Sequence, residues 1–511
     1  MKVNGFVKGA IILVVFNVIA KVIGAFYRIP LANMLGPAGI GKYQLVFPLY
    51  SLLLSISVSG IPVAISKIVA EYNSKNQQGD IKKLLKLAKL YLVVISVIVV
   101  AIFTIFAKFI AKIQGNPEIY FCYYAIAPAV LFVGILSVYR GYFQGNLNML
   151  PTALSNVVEQ VGKLVFSLTL AKVFATKGVV FGVFGALLGI SLSEFMALIF
   201  LSVYYLFGKK KINKNHSRLS KRTISKQLLY TALPITLGGI ASPITAIIDS
   251  LLVVNLLMFM GVGSNGATSF LGLLSGIVDP IINIPIVLAV SISASLLPNI
   301  SKLYAEKNKI AVRSLIEKSF QLTLSISMVC AISFVIFGRQ ILEFLYGTSL
   351  SYEELIISTK LLFLGGINLM FLSLLQVSSG VLQGMGKQAF TMKSIIVGSV
   401  IKIVLTCVLV LIPNVNILGA MISGGISYFV VFLMNYSQIK KYTTARIKDV
   451  CLGVIVQECL VCLFAFFANW LFSMVFGGVV ALFAAGGVAI IIFIVTYYTF
   501  FLIDKEQFVS S

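Results

Sequence analysis

The sequence predicts an all-α polytopic membrane protein of about fourteen transmembrane helices: two six-helix bundles related by a pseudo-two-fold axis, plus two C-terminal helices. Three observations carry this reading. Of 511 residues, 59% are apolar and 11% charged, with a mean hydropathy of +1.03. Mostly apolar runs of about 20 residues, enough to cross ~30 Å of hydrocarbon as a helix, recur along the whole chain. Short strings also recur in the same order in the two halves. The 40 Lys and Arg against 16 Asp and Glu give a net charge of +24 and a pI near 9.7. In a soluble protein that would suggest nucleic-acid binding, but so apolar a chain lacks the solvated surface, so no nucleic-acid partner is expected.

Apolar runs set against polar breaks place spans near residues 8–33, 43–69, 88–113, 119–144, 151–175, 179–207, 228–260, 268–299, 316–345, 355–382, 390–412, 417–438, 451–472 and 477–503. The first run follows Lys2 and Lys8 but continues through Lys21 and Arg28 to Asn33 and lacks a small-x-small cleavage site. It therefore reads as a span, not a signal peptide. The longest polar break, Gly208 to Gln227, holds no soluble domain. Alternating the loops collects Lys75, Lys82, Lys83, Lys86 and Lys89 with the Lys209–Lys226 run, the Lys302–Lys318 cluster, and Lys440, Lys441, Arg446 and Lys448. By the positive-inside rule this side is cytoplasmic, with both termini inside a multi-pass cell-membrane protein. These basic runs read as topogenic surfaces touching anionic membrane lipids.

The repeat sets the domain organisation. Ile65-Ser66-Lys67 with Ala70-Glu71 and Asn73 returns as Ile300-Ser301-Lys302 with Ala305-Glu306 and Asn308. Gly141-Tyr142-Phe143-Gln144-Gly145 returns as Gly380-Val381-Leu382-Gln383-Gly384, each followed by a lysine, Lys163 or Lys402. Gly185-Ala186 returns as Gly419-Ala420. The expected partition is an N-terminal bundle at 1–207, a basic cytoplasmic loop at 208–227, a C-terminal bundle at 228–440, and two further helices with a tail at 441–511. Secondary transporters are built this way, with a central site between rocking halves.

Ionisable groups inside a membrane are expensive and mark candidate sites. Asn17, Lys21, Gly24 and Arg28 form one polar stripe on the first span. The stripe reads as a cavity lining; alternatively Arg28 snorkels to the interface and Lys21 pairs with a buried acid. In span five, Glu159 and Lys163 have the i, i+4 spacing of an ion pair, structural or working, with Gln160 between them. Arg140, at the foot of span four, either snorkels or faces the cavity. Glu194, Asp249 and Asp279 lie deeper in spans six, seven and eight, as sites for a coupling monovalent cation or as counterions. Pro234 and Pro243 precede Asp249, and Pro280 and Pro285 follow Asp279, so both acids are expected beside irregular backbone. Lys21, Arg28, Arg140 and Lys163 fall in the first half, whereas Asp249, Asp279 and Lys402 fall in the second. A cavity with one cationic wall suits an anionic head group such as phosphate or pyrophosphate.

Other signals carry little. Gly261-Val262-Gly263-Ser264-Asn265-Gly266 matches a dinucleotide string but has no strand or βαβ unit around it. Cys459 and Cys462 have zinc-ligand spacing inside an apolar span without a second pair, and His216 is alone in the basic loop. All six cysteines lie in apolar runs, so no disulfide framework is implied. Gly178, Gly182, Gly185 and Gly189 read as a close helix-packing face. Nothing forms a nucleotide-binding P-loop, and no cofactor or metal is expected.

Lys21-Val22-Ile23-Gly24-Ala25-Phe26-Tyr27-Arg28 with Leu35-Gly36-Pro37-Ala38-Gly39, Gly60-Ile61-Pro62 with Ser66-Lys67, Tyr139-Arg140-Gly141 with Gln144-Gly145, and Val158-Glu159-Gln160 form a set. With it the chain resembles the stage V sporulation protein B-like branch of the polysaccharide transporter family, in one superfamily with multidrug and toxic-compound extruders and MurJ-type lipid II flippases. The resemblance implies an undecaprenyl-pyrophosphate-linked glycan as cargo, moved to the outer leaflet for cell-wall peptidoglycan or spore cortex. It places Lys21 and Arg28 where cavity arginines of the first helix lie, and suggests that the last two spans form a groove for the prenyl tail. The sequence departs from the pattern in having Lys21 for an Arg, Ile29 where an Asp is common, and Asp249 and Asp279 in spans seven and eight instead of a cation. The expected activity is that of a transporter, not an enzyme: an alternating-access flippase. A cation-coupled multidrug extruder is the alternative, and a scaffold for wall-synthesis enzymes a third reading.

Overall fold

A computed structural model describes residues 2–75, 77–207, 219–443, 447–475 and 478–498, all helix and connecting turns without a strand. The basic run Lys209–Arg218 and His216 lie outside the described residues. The chain forms two compact units, Met1–Gly272 and Leu273–Ser511.

The first unit contains α1 (Lys2–Ser57), α2 (Ile61–Ser74), α3 (Gln78–Ile105), α4 (Ala107–Ile113), α5 (Tyr120–Gly145), α6 (Leu150–Gly162), α7 (Leu168–Ala175), α8 (Val179–Phe207), α9 (Lys221–Phe259) and α10 (Ser264–Leu271). α1 joins the first two predicted spans across a kink at Gly36, whose φ of 65° lies in the left-handed region that glycine tolerates. Pro37 then starts the second arm, where a missing N–H removes no helical bond. A π-helical stretch, Lys163–Ser167, separates α6 from α7. α9 starts at a Ser220 cap, whose hydroxyl accepts from Thr223 N at 3.1 Å.

The second unit contains α11 (Asp279–Ala305), α12 (Lys309–Tyr346), α13 (Tyr352–Gly384), α14 (Gln388–Leu409), α15 (Ile417–Tyr442), α16 (Ile447–Val475) and α17 (Gly478–Tyr498). Among the described residues, ten helices are long and apolar enough to cross a membrane, two of the predicted spans being merged in one of them. Pro243–Phe259 and Ala484–Tyr497 are shorter apolar helices. The protein is a helical polytopic membrane protein.

The backbone beside the two acids corrects one expectation. Asp279 follows a π-helical stretch, Gly272–Val278, as irregular backbone would require. Asp249 does not sit beside irregular backbone: α9 runs unbroken through Pro234 and Pro243. Proline is tolerated in a membrane helix when its lost hydrogen bond is absorbed by small local adjustments.

Small residues fix the close contacts. On α5, a Cβ at Gly141 would meet the Pro62 carbonyl and Ile65, and one at Gly145 would meet the Ser66 carbonyl and Val69. On α13, Gly384 lies against the Leu297 carbonyl and Ile300, and Gly380 against Ser293. The repeated glycines thus let α5 approach α2, and α13 approach α11. Gly182, Gly185 and Gly189 bring α8 onto Ala175, Leu170 and Ser167, a packing face as their spacing implied, whereas Gly178 lies in the turn before α8 with a φ of 128° and is not part of it. Gly60 against Ala232 and Gly41 against Thr268 seat the second arm of α1 and the turn after it on α9 and α10. Packing therefore groups α9 and α10 with the first unit, whereas the sequence repeat starts its second half at α9.

Candidate functional site

The first unit holds a four-membered charge network shared by α5, α6, the π stretch and α8. α6 presents Glu159 and, one turn on, the first residue of the π stretch is Lys163, whose Nζ lies 2.6 Å from Glu159 Oε1. Arg140 on α5 reaches Glu159 Oε2 with Nη2 at 2.9 Å and donates from Nε to Ser155 Oγ at 3.1 Å. Gln160 Nε2 donates to Glu159 Oε1 at 3.1 Å. Glu194 on α8 completes the chain, with Oε1 3.2 Å from Lys163 Nζ.

Helix packing explains how Glu194 gets there. Gly162 admits Ser193 and Met196 of α8, and Gly189 lies against Phe166 and Ser167 of the π stretch, so α8 approaches until its carboxylate meets Lys163. Side-chain exposures of 18%, 13%, 17% and 4% for Arg140, Glu159, Lys163 and Glu194 make these buried charges whose desolvation needs partners. Two cations and two anions balance. Glu194 Oε2 is buried and, among the described residues, has no hydrogen-bond partner. Tyr43 and Tyr50, on the second arm of α1, lie within electrostatic reach of Lys163 and of Glu159 and Glu194 respectively.

The first arm of α1 adjoins this network. Gly24 lies against the Gln160 carboxamide, and Tyr27 Oη donates to Tyr43 Oη at 3.3 Å. Arg28 is half-buried and Lys21 exposed. Neither makes a salt bridge among the described residues. Asn17 lies outside the residues whose side chains are described. Asp249 is half-buried on α9 in the first unit, and Asp279 is half-buried at the start of α11 in the second. The structure thus brings together Arg140, Glu159, Lys163 and Glu194, with Lys21 and Arg28 on the adjoining arm.

Two further features lie outside the predicted set. Lys42, 5% exposed, pairs with Glu118 at 3.2 Å. Glu458 on α16 is fully buried, and among the described residues neither of its carboxylate oxygens has a hydrogen-bond partner. An acid beside Gln457 in an otherwise apolar run is the signal that would have singled it out. Cys459 and Cys462 are free thiols, and the described residues contain no group of three potential metal ligands.

Comparison with known proteins agrees with this architecture. Residues 6–304 match the family described as polysaccharide biosynthesis protein, and residues 246–408 match the MatE family. Stage V sporulation protein B of Bacillus subtilis (strain 168) is 27% identical over 447 residues, covering 87% of this chain and 85% of that protein. Lipid II flippase MurJ of the same organism is 28% identical, covering 85% and 82%. Among solved structures, a lipid II flippase MurJ in an inward closed conformation superposes with a TM-score of 0.72 at 14% identity, covering 96% of this chain and 99% of that one. An inward-facing multidrug resistance MATE family transporter gives 0.66 at 17% identity, covering 82% and 94%.

Proposed function

Because the chain belongs to the polysaccharide biosynthesis protein family, we propose that it is a flippase carrying an undecaprenyl-pyrophosphate-linked glycan across the cytoplasmic membrane by alternating access, for cell-wall or spore-cortex synthesis. The observation that supports this reading is the division of cations in the first unit. Arg140 and Lys163 are neutralised by Glu159 and Glu194, whereas Lys21 and Arg28 have no acid partner among the described residues. A membrane-embedded cation without an acid needs water or an anionic ligand. A diphosphate supplies two or more negative charges, which Arg28 binds through its planar fork and Lys21 as a point charge. The Gln160–Gly24 contact ties α1 to the balanced network, which then positions the cationic face without competing for the anion.

In this mechanism the head group enters from the cytoplasmic side, where the basic loops and both termini lie by the positive-inside rule. The prenyl tail stays in the bilayer, along a groove formed by α16 and α17. Glu159 and Glu194 act as counterions. Asp249 and Asp279 are candidate sites for a coupling monovalent cation. The protein is a transporter, not an enzyme.

The test is translocation of a fluorescent undecaprenyl-pyrophosphate-linked glycan in proteoliposomes, with a polyprenyl lipid lacking pyrophosphate as control. Lys21→Ala and Arg28→Ala are each expected to cut translocation by about tenfold or more, as loss of a charge-assisted contact does. A multidrug extruder would tolerate both and fail on Asp249→Asn. Equal transport of the control lipid would sink the proposal.

A further inference from the structure

The second unit carries a cavity far from the charge network in sequence and chemistry. It encloses about 430 Å³ where α11 ends, α12 begins and α15 ends. Leu303, Tyr304 and Val312 line its apolar side, and Lys307, Lys309 and Lys441 its polar side. Tyr442 also lines it, with Lys387 Nζ 4.8 Å from the centroid of its ring. Among the described residues no lining residue is acidic, and Glu306, on the same turn, is exposed and outside the lining.

Two observations separate this pocket from an ordinary basic loop. Lys307 has a φ of 57°, a left-handed conformation that disfavours a side chain and is normally left to glycine at a helix end. The turn holds it there: Lys307 N donates to Tyr304 O at 3.1 Å and Asn308 N to Leu303 O at 3.1 Å, while Asn308 Oδ1 caps α12 by accepting from Ala311 N at 3.0 Å. The repeat supplies the contrast. The counterpart of Lys307 in the first half is Tyr72, which is buried, donates to Gln227 Oε1 at 2.8 Å and packs with Ile81, Leu84, Ile224 and Leu228. One half closes this register position with a ring, whereas the other opens it and surrounds it with ammonium groups.

We propose that this cavity binds a phosphate ester, as presented by an anionic lipid head group. Lysine ammonium groups neutralise the phosphate as point charges. The tyrosine rings and Leu303 accept the glyceryl and first acyl carbons, which an apolar wall suits and a free phosphate does not need. A membrane-surface position at the ends of three helices is where such lipids are found.

The full chain is placed in nanodiscs of zwitterionic lipid and titrated with dihexanoyl phosphatidylglycerol, dihexanoyl phosphatidylcholine, glycerol 3-phosphate or inorganic phosphate, reading ³¹P line broadening. The variant is Lys307→Gly with Lys309→Ala and Lys441→Ala; the glycine suits the left-handed turn, so charge is removed while backbone strain is relieved. The control variant neutralises Lys82, Lys83 and Lys86. Phosphatidylglycerol is expected to broaden, phosphatidylcholine not, and the pocket variant to bind about 100-fold more weakly while the control variant binds normally. Equal broadening by glycerol 3-phosphate and inorganic phosphate, lost in the pocket variant, upholds a phosphate site fed from solution. Binding unchanged in the pocket variant, or lost equally in the control variant, overturns the proposal.

Discussion

Replacing Glu159 by Gln tests whether the charge network holds the first unit together. The carboxylate receives Arg140 at 2.9 Å, Lys163 at 2.6 Å and the Gln160 amide at 3.1 Å, all in a site under one-fifth exposed. A carboxamide in its place would keep one acceptor and lose the charge. Lys163 then retains Glu194 at 3.2 Å, but Arg140 is left with Ser155 Oγ as its polar contact in the network. The loss is that of a buried pair broken on one side, about 3–5 kcal/mol. Removing Arg140 as well, in Arg140→Met with Glu159→Gln, takes away the stranded charge. The double variant should therefore be less destabilised than the sum of its singles by at least about 1 kcal/mol. Reversible unfolding in mixed micelles reads both quantities. A single variant costing under about 1 kcal/mol, or strict additivity in the double, would refute the view that these four charges act as a unit.

Gly41→Ala puts a methyl group into the Thr268 carbonyl, a backbone atom that cannot swing aside. The helices must part, and a loss of about 1–3 kcal/mol is expected in the same micelle titration; an unchanged midpoint would mean that α1 and α10 are free to separate. Glu458→Leu removes a fully buried carboxyl whose oxygens lack hydrogen-bond partners among the described residues. This variant should be more stable by about 1–3 kcal/mol, and a destabilised protein would show that the acid has an essential partner.

The spans, and the glycines by which helices approach one another, were legible because both are local: an apolar run has a length, and a four-residue spacing has a face. The Glu159–Lys163 pair was legible for the same reason. Arg140 to Glu159 and Lys163 to Glu194 were not, since they depend on which faces of α5 and α8 meet α6 and the π stretch; for α8 that is set by Gly162 and Gly189 fitting against their neighbours. Four cations in the first half read as one wall; the structure divides them into two that are paired with acids and two that make no salt bridge among the described residues. Prolines before Asp249 gave a wrong expectation because a proline signals a lost hydrogen bond, not the way a helix absorbs it. The repeat shows a lysine at 307 where the first half has Tyr72, but not that the backbone there is left-handed, because that angle is set by the turn between α11 and α12.

The glycine contacts of the two halves carry a difference in register. In the first, Gly141 meets the Pro62 carbonyl and Ile65; the matching atoms in the second, the Leu297 carbonyl and Ile300, are met by Gly384, the counterpart of Gly145. The same pair of motifs is therefore engaged one notch apart, four residues or about 6 Å along the axis. A glycine every turn makes the helix a rack whose teeth all fit, so glycine spacing selects how close two helices come but not how far one has slid past the other. That axial setting belongs to bulkier neighbours, and the two matching segments rest at different positions on the same rail.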